Sequence, residues 1–222
     1  MSAFLDLVLP QSCAGCALPG AVVCSVCAEE LHADPAPRPP VPAPRGMPEC
    51  WSAAPYRGAA RGLVLAYKER GRTALIRPLA DVLATVLLSV PALPTGPLTL
   101  VPVPSARSAV RRRGHDPVAR LAAATAARLR TLGLPASCTP ALRHHRRVRD
   151  QAGLTATERA ANLSNAFAVR RRRPTRPPVT AVLVDDIVTT GTTLTEAATT
   201  LRRTGIPVPL AITLTATPRL RR

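Results

Sequence analysis

Apolar positions along the chain follow two different periods, and their alternation is the first guide to its architecture. LTLVPV (98–103) and VTAVLVDD (179–186) are nearly continuous apolar runs, the pattern of strands buried on both faces of a parallel sheet. CWSAAPY (50–56), AFAV (166–169) and VPLAITLTA (208–216) read as further strands. Between them, GAARGLVLAYKERG (58–71), the stretch from Ile76 to Val90, the Ala-rich residues 117–132 and TTLTEAATTLRRTG (192–205) repeat their apolar residues at helical spacing. Gly133 and Gly205 stand where the last two of these helices should stop. Strands alternating with helices predict an α/β domain with a mainly parallel sheet. Residues 144–165 are polar, charged and aperiodic, which predicts a mobile loop. No internal repeat is visible.

Three zones follow. Residues 1–32 hold four of the six cysteines. Residues 33–48, ADPAPRPPVPAPRGMP, are too rich in proline for a helix or an interior strand and predict a semi-rigid extended linker. Residues 49–222 carry the α/β pattern, so the 222-residue chain is expected to bury one ordinary core with a small appendage.

Charge complicates this picture. The formal net charge is +17, and because Lys68 is the only lysine, the 30 basic residues include 29 arginines (30 − 1). Together with 25 prolines, that skew has two readings: a compositional drift, or an anionic partner. Met1 to Pro10 contain Asp6 but neither a basic stretch nor a small-residue cleavage pattern, and the longest apolar run, Leu79 to Leu93, is broken by Asp81, Ser89 and Pro91. Export and membrane insertion are therefore not expected. The cytoplasm is the expected compartment, where cysteines serve as metal ligands or bystanders before they serve as disulfides.

Cys13-x-x-Cys16 and Cys24-x-x-Cys27 form two knuckles around a turn containing Leu18-Pro19-Gly20. Each two-residue gap lets both thiolates of a knuckle face one ion. Four thiolates complete a closed tetrahedron, the arrangement of structural Zn²⁺, with redox thiols and an iron site as alternatives. So short a segment has no core of its own, and metal binding would supply its folding free energy. Cys50 and Cys138 stand alone and read as small buried apolar residues.

The strongest signal runs from Val182 to Leu194: VLVDDIVTTGTTL. An apolar strand delivers Asp185 and Asp186 to its C-terminal edge, where open α/β sheets bind ligands. A loop of small residues and a helix N-terminus follow, where backbone N–H groups and hydroxyls can hold a phosphate and Gly191 permits close approach. The carboxylates are better placed to accept from a sugar's vicinal hydroxyls. A sugar phosphate gripped at both ends is the natural occupant, against the plainer alternative of a strand–turn–helix with solvated aspartates. A haloacid-dehalogenase nucleophile would need a second aspartate where Ile187 stands, and a Walker A loop would need a lysine after its glycine.

This segment resembles the phosphoribosyl-pyrophosphate signature of type I phosphoribosyltransferases. The resemblance implies that Asp185 and Asp186 contact the ribose 2′ and 3′ hydroxyls, and that Thr189, Thr190, Gly191, Thr192 and Thr193 wrap the 5′-phosphate. Further pieces are similar to the ComF family, competence-associated proteins with a zinc-ribbon head and a phosphoribosyltransferase-like body. They are the cysteine quartet, Tyr67-Lys68, Val101-Pro102-Val103-Pro104 with Arg111-Arg112-Arg113-Gly114, Arg149-Asp150-Gln151-Ala152-Gly153-Leu154, and Glu158-Arg159-Ala160-Ala161-Asn162-Leu163. His115-Asp116-Pro117 departs from the family, where an aromatic residue, Asn and Gln are common. The implied fold is a mainly parallel sheet flanked by helices, with a small four-cysteine zinc ribbon.

In such a fold the loop after the first core strand binds pyrophosphate, which makes Ser105, Arg107 and Arg113 candidates, the arginines because their forks pair two phosphate oxygens. Lys68 joins them as a compact point charge retained where nearly every other basic position is arginine, with chance survival the alternative. Residues 144–165 match the loop that closes over the reacting centre in these enzymes.

Three functions follow from the resemblance. The first is transfer of phosphoribose to an acceptor with release of pyrophosphate, assisted by Mg²⁺. The second is non-enzymatic handling of single-stranded DNA or a DNA-uptake partner. The third is a regulator that binds the sugar phosphate without turnover. Five aromatic residues (Phe4, Trp51, Tyr56, Tyr67 and Phe167) are few for a base-stacking platform, although the arginine runs could track a phosphate backbone. No residue pattern names the acceptor.

Overall fold

In the computed structural model, residues 11–145, 166–170 and 180–218 are described. The predicted lid segment therefore lies outside the described residues except for His144 and His145, as do the Arg149–Leu154 and Glu158–Leu163 motifs and the Arg219–Arg222 tail. The elements in chain order are α1 (Ser25–His32), β1 (Ala36–Pro37), β2 (Glu49–Pro55), α2 (Gly58–Lys68), α3 (Ile76–Leu88), β3 (Leu98–Pro102), α4 (Arg107–Arg113), α5 (Pro117–Thr131), β4 (Ala136–Cys138), β5 (Leu142–His144), β6 (Phe167–Val169), β7 (Thr180–Val188), α6 (Thr192–Arg202) and β8 (Leu210–Ala216).

Six strands form one sheet in the order β1-β2-β8-β7-β3-β4. Every neighbouring pair from β2 to β4 is parallel, and only the edge strand β1 runs antiparallel. The alternating pleat explains how continuous apolar runs fill two cores at once. Val182, Val184, Leu210 and Ile212 join α2, α3 and α5 in one apolar cluster. Ala181, Leu183 and Ala211 join Ala197 and Leu201 of α6 in another. The α3 helix buries Leu79, Ala80, Val82, Leu83, Ala84, Val86 and Leu87, a face wide enough to lie between the sheet and other helices.

Strand β7 runs two residues beyond its expected end at Asp186. Its neighbour β8 continues to Ala216, and Ile187 and Val188 pair with Thr215 and Ala216. The proline-rich segment also acquires partners. Ala36 and Pro37 pair with Ser52 and Trp51, an edge position that tolerates proline. Arg38 donates to the Ser52 carbonyl at 2.7 Å, and Arg202 of α6 donates to the Gly46 carbonyl. The segment thus lies along the sheet edge as a strap. A separate antiparallel hairpin, β5–β6, stands outside the main sheet. No helix among the described residues is long and apolar enough to cross a membrane.

Candidate functional site

At the head, turns set by Ala17 N–H to Cys13 O (2.8 Å) and Cys13 N–H to Leu18 O (2.7 Å) fold the first knuckle. Cys24 precedes α1 and Cys27 lies in its first turn, which brings the second knuckle across. The donor atoms of Cys13, Cys16, Cys24 and Cys27 lie within 4.8 Å of one another, a set that can hold one metal ion. Burial opposes ionisation of Cys13, but backbone N–H groups, including those of Cys24 and Gly15, donate to its sulfur and bring the thiol down to about 6. Burial, and then the neighbouring sulfurs, push Cys27 up. A thiolate-rich cluster with one sulfur already favouring the anion suits a soft or borderline cation such as Zn²⁺.

The head is seated on the body through two glycines. A Cβ on Gly62 of α2 would meet the carbonyl oxygens of Ala14 and Gly15 at 3.1 Å each, and one on Gly15 would meet Ala59 Cβ of α2 at 3.1 Å besides Cys27 Sγ at 2.8 Å within the head. Arg72 adds a hydrogen bond to the Ser12 carbonyl at 2.8 Å.

Near the C-terminal end of β7, Asp186 is buried and Asp185 half-buried. Lys68, the last residue of α2, brings its Nζ to 2.6 Å from Asp186 Oδ2. Burial works against the Lys68 ammonium, but Asp186 outweighs it and holds the lysine above its ordinary value. Asp185 is pushed well above the ordinary carboxylate range by burial and then by the charge of Asp186. It in turn helps burial push the Cys50 thiol up to about 12.

The following loop ends at Gly191, whose φ of +74° is the left-handed conformation that glycine adopts without strain. Helix α6 starts there with no side-chain cap and no acidic residue in its first turn. Apart from a 3.5 Å contact from Thr192 N–H to Thr190 Oγ1, its opening N–H groups have no side-chain acceptor among the described residues. Thr189, Thr190 and Thr193 are exposed, and Thr190 and Thr192 hydroxyls lie 3.0 Å apart. The strap covers the other side of this turn: a Cβ on Gly191 would meet Met47 Sδ at 2.6 Å and Pro40 Cγ at 2.9 Å.

The remaining candidates have distinct surroundings. Ser105 gives its N–H to Asp116 Oδ2 (3.1 Å) and its hydroxyl to Asp116 Oδ1 (2.8 Å). Asp116 also caps α5 through Val118 and Ala119 N–H. Arg107 is exposed at the start of α4. Arg113 is engaged, with Nη2 lying 2.6 Å from both carboxylate oxygens of Glu69. Lys68 and Glu69, adjacent in sequence, thus tie the end of α2 to β7 and to α4. Sequence reasoning missed Glu69 and Asp116. Asp116-Pro117 could have been read as an N-cap followed by proline at the first helical position, whereas Glu69 has no local signature.

No protein-family model matches the chain. Among curated proteins, Competence protein F of Haemophilus influenzae is 32% identical over 110 residues, which are 50% of this chain and 46% of that protein. The chain therefore spans about half the length of that relative. The resemblance to the ComF family drawn from the motifs is met by this relative and by the compact four-cysteine cluster.

Proposed function

We propose that the chain is a ComF-type protein that binds phosphoribosyl pyrophosphate and transfers its phosphoribosyl group to an acceptor nucleophile. The observation that carries this reading is the run from two acidic residues near the end of a central parallel strand into an uncapped helix N-terminus. In this reading Asp185 and Asp186 accept from the ribose hydroxyls, and Thr189 through Thr193 hold the 5′-phosphate. Ser105 and Arg107 face the pyrophosphate, joined by Lys68 once the ribose hydroxyls take over Asp186, and by Arg113 if it leaves Glu69.

The reaction breaks the bond from ribose C1 to the pyrophosphate oxygen, whose electron pair leaves with pyrophosphate. An acceptor lone pair forms the new bond at C1, and the acceptor's proton passes to solvent. Asp186 already faces Lys68 and Asp185 is held above the ordinary carboxylate range, so the charge of the diphosphate calls for a hard divalent cation arriving with it. Mg²⁺ would supply neutralisation of the leaving group. In the head, the four cysteines would hold one Zn²⁺ with no position open for water, a structural role.

Calorimetric titration of phosphoribosyl pyrophosphate with Mg²⁺ tests the donor site. Binding to the native protein, weakened in the double variant Asp185→Asn/Asp186→Asn, supports it. Absence of binding at millimolar ligand overturns it. Consumption of the donor across a panel of bases and amines then separates turnover from binding alone.

The name of the relative and the +17 charge support a second reading, a competence-associated protein handling single-stranded DNA. Trp51, Tyr67 and Phe167 are all buried, which leaves little for bases to stack on among the described residues. Binding in this reading would be carried by phosphate contacts, independent of sequence, and would fall steeply with salt.

A further inference from the structure

Beside the loop after β3 lies an open cavity of about 340 Å³ between α4 and the β5–β6 hairpin. Its charged lining is uneven: Arg107 and Arg111 from the helix, Arg143 and Arg170 from the hairpin, and a single carboxylate, Asp116. Both oxygens of Asp116 are already occupied by Ser105 and by the first turn of α5. Elsewhere arginines find acids, as Arg38 does with Asp34, Arg113 with Glu69 and Arg128 with Asp81. None of the four cavity arginines forms an ion pair among the described residues.

Arg107 and Arg111 are also four apart on one helix, a like-charge spacing that weakens a helix unless an anion lies between. The facing wall is fixed in place. His144 Nε2 lies 3.0 Å from the carbonyl oxygens of both Pro104 and Ser105, two acceptors that require this nitrogen to carry the proton. This contact latches the hairpin to the loop after β3, and the ring packs 5.2 Å from that of Phe167. Arg170 is held by its N–H to the Ala141 carbonyl at 2.7 Å.

We infer that this cavity binds the acceptor, and that the acceptor is a small molecule bearing a phosphate group. The inference rests on the transferase reading above. A phosphate offers several oxygens to guanidinium forks arriving from two walls, which a neutral base or amine does not. The volume suits a small ligand. Arg107, at the mouth of the loop, borders both the donor's pyrophosphate and this cavity. Arg111, Arg143 and Arg170 belong to the acceptor.

The test uses the full chain at low ionic strength, with inorganic phosphate as the probe and calorimetry as the readout. Native protein saturated with phosphoribosyl pyrophosphate and Mg²⁺ should still bind one phosphate. Arg143→Gln/Arg170→Gln should weaken that event roughly tenfold or more while donor affinity stays unchanged. Arg111→Gln, on a separate element, should weaken it in the same direction and guards against a misfolded hairpin. Phosphate binding that survives these changes overturns the inference. So does displacement of the phosphate by the donor, which would assign the cavity to pyrophosphate. Gly191→Val serves as the control for the donor site: it should abolish donor binding and leave the arginine cavity's phosphate in place. Failure of the donor reading and failure of this one therefore register in different variants.

Discussion

The head and the ligand edge solve the same problem, placing several polar groups within a few ångströms of one another, by opposite means. In the head, four sulfurs meet in a segment that brings only Cys13 and Cys27 to their buried cluster, against Ala59 of α2. In the zinc reading, a bound ion is what chiefly offsets the repulsion of four thiolates there. At the ligand edge, Asp185, Asp186 and the threonine loop are carried by β7, a strand paired on both sides and packed above and below. The strand pairing fixes that arrangement, and Lys68 offsets part of its cost. In this reading the head's geometry would depend on a bound ion, whereas the edge's geometry is set by the sheet.

Metal removal should therefore produce the largest effect and should be confined to one region. Purified protein is expected to hold about one zinc per chain. Cys13→Ser should lose it, and amide exchange should rise across the head and the glycine contact at Gly62, while Cys50→Ser retains the metal. Structural zinc sites contribute on the order of 10 kcal/mol to small modules, so intermediate behaviour is not expected. Metal retained in Cys13→Ser would break the comparison at its head.

Gly191→Val should come next. A β-branched residue at φ +74° costs about 1–2 kcal/mol in backbone strain alone. Its Cβ would also occupy the space of Met47 and Pro40, so the strap must move. Loss of donor binding together with lower thermal stability is expected. Met47→Ala in the same chain should recover part of the stability and little of the binding. Full recovery of binding would mean that the strap, and not the turn, shapes the loop.

Asp185→Asn/Asp186→Asn should weaken donor binding by roughly 2–4 kcal/mol, since charge-assisted hydrogen bonds contribute about 1.5–3 kcal/mol each and are not additive. The same pair gives a pH signature. Because the folded pKa of Asp185 is raised, the native state holds a proton that the unfolded chain has released, so ionisation costs stability as pH rises through the folded value. Donor affinity should move the other way, rising as Asp185 becomes an acceptor. Asp185→Asn should flatten both curves when stability and donor titrations are followed against pH.

What was legible in the sequence follows from the range of the forces involved. The strand and helix alternation, the two knuckles and the strand–loop–helix of residues 182–194 are local patterns, and each appears where its period or spacing places it. The two extra residues of β7 were not legible, because the polar pair suggested an end while the partner strand decided it. Nor was the strap over Gly191, since a proline-rich segment carries no apolar period to reveal what it packs on. The pairings of Lys68 with Asp186 and of Arg113 with Glu69 were equally hidden, because a charge's partner is set by which elements meet. The raised basic content made this worse: 29 similar arginines give no hint of which few find acids.

The smallest expected effect separates the pair of Lys68 from that of Glu69 at the end of α2, where Arg112 at 3.8 Å is a more distant second partner of Glu69. Lys68 meets a buried carboxylate, whereas Glu69 is well exposed and meets an Arg113 side chain that is only 11% exposed. Surface pairs contribute about 0.2–1 kcal/mol, and Glu69→Gln should fall toward the upper end because Arg113 Nε and Nη1 have no partner among the described residues. The hydrogen bonds from Arg113, acting against burial, hold Glu69 below the ordinary carboxylate range. Between the unfolded and folded values the native state therefore binds fewer protons than the unfolded chain, and the pair's contribution is lost as pH falls through the lowered folded value. Acid would also protonate cysteine thiolates and release any metal they hold, so the native protein alone cannot isolate the pair. The difference in urea stability between native and Glu69→Gln protein can, because the head is common to both. That difference should be present at neutral pH and vanish in acid. A constant difference across the range would mean that Glu69 acts through packing, and the end of α2 would then hold one working ion pair, at Asp186.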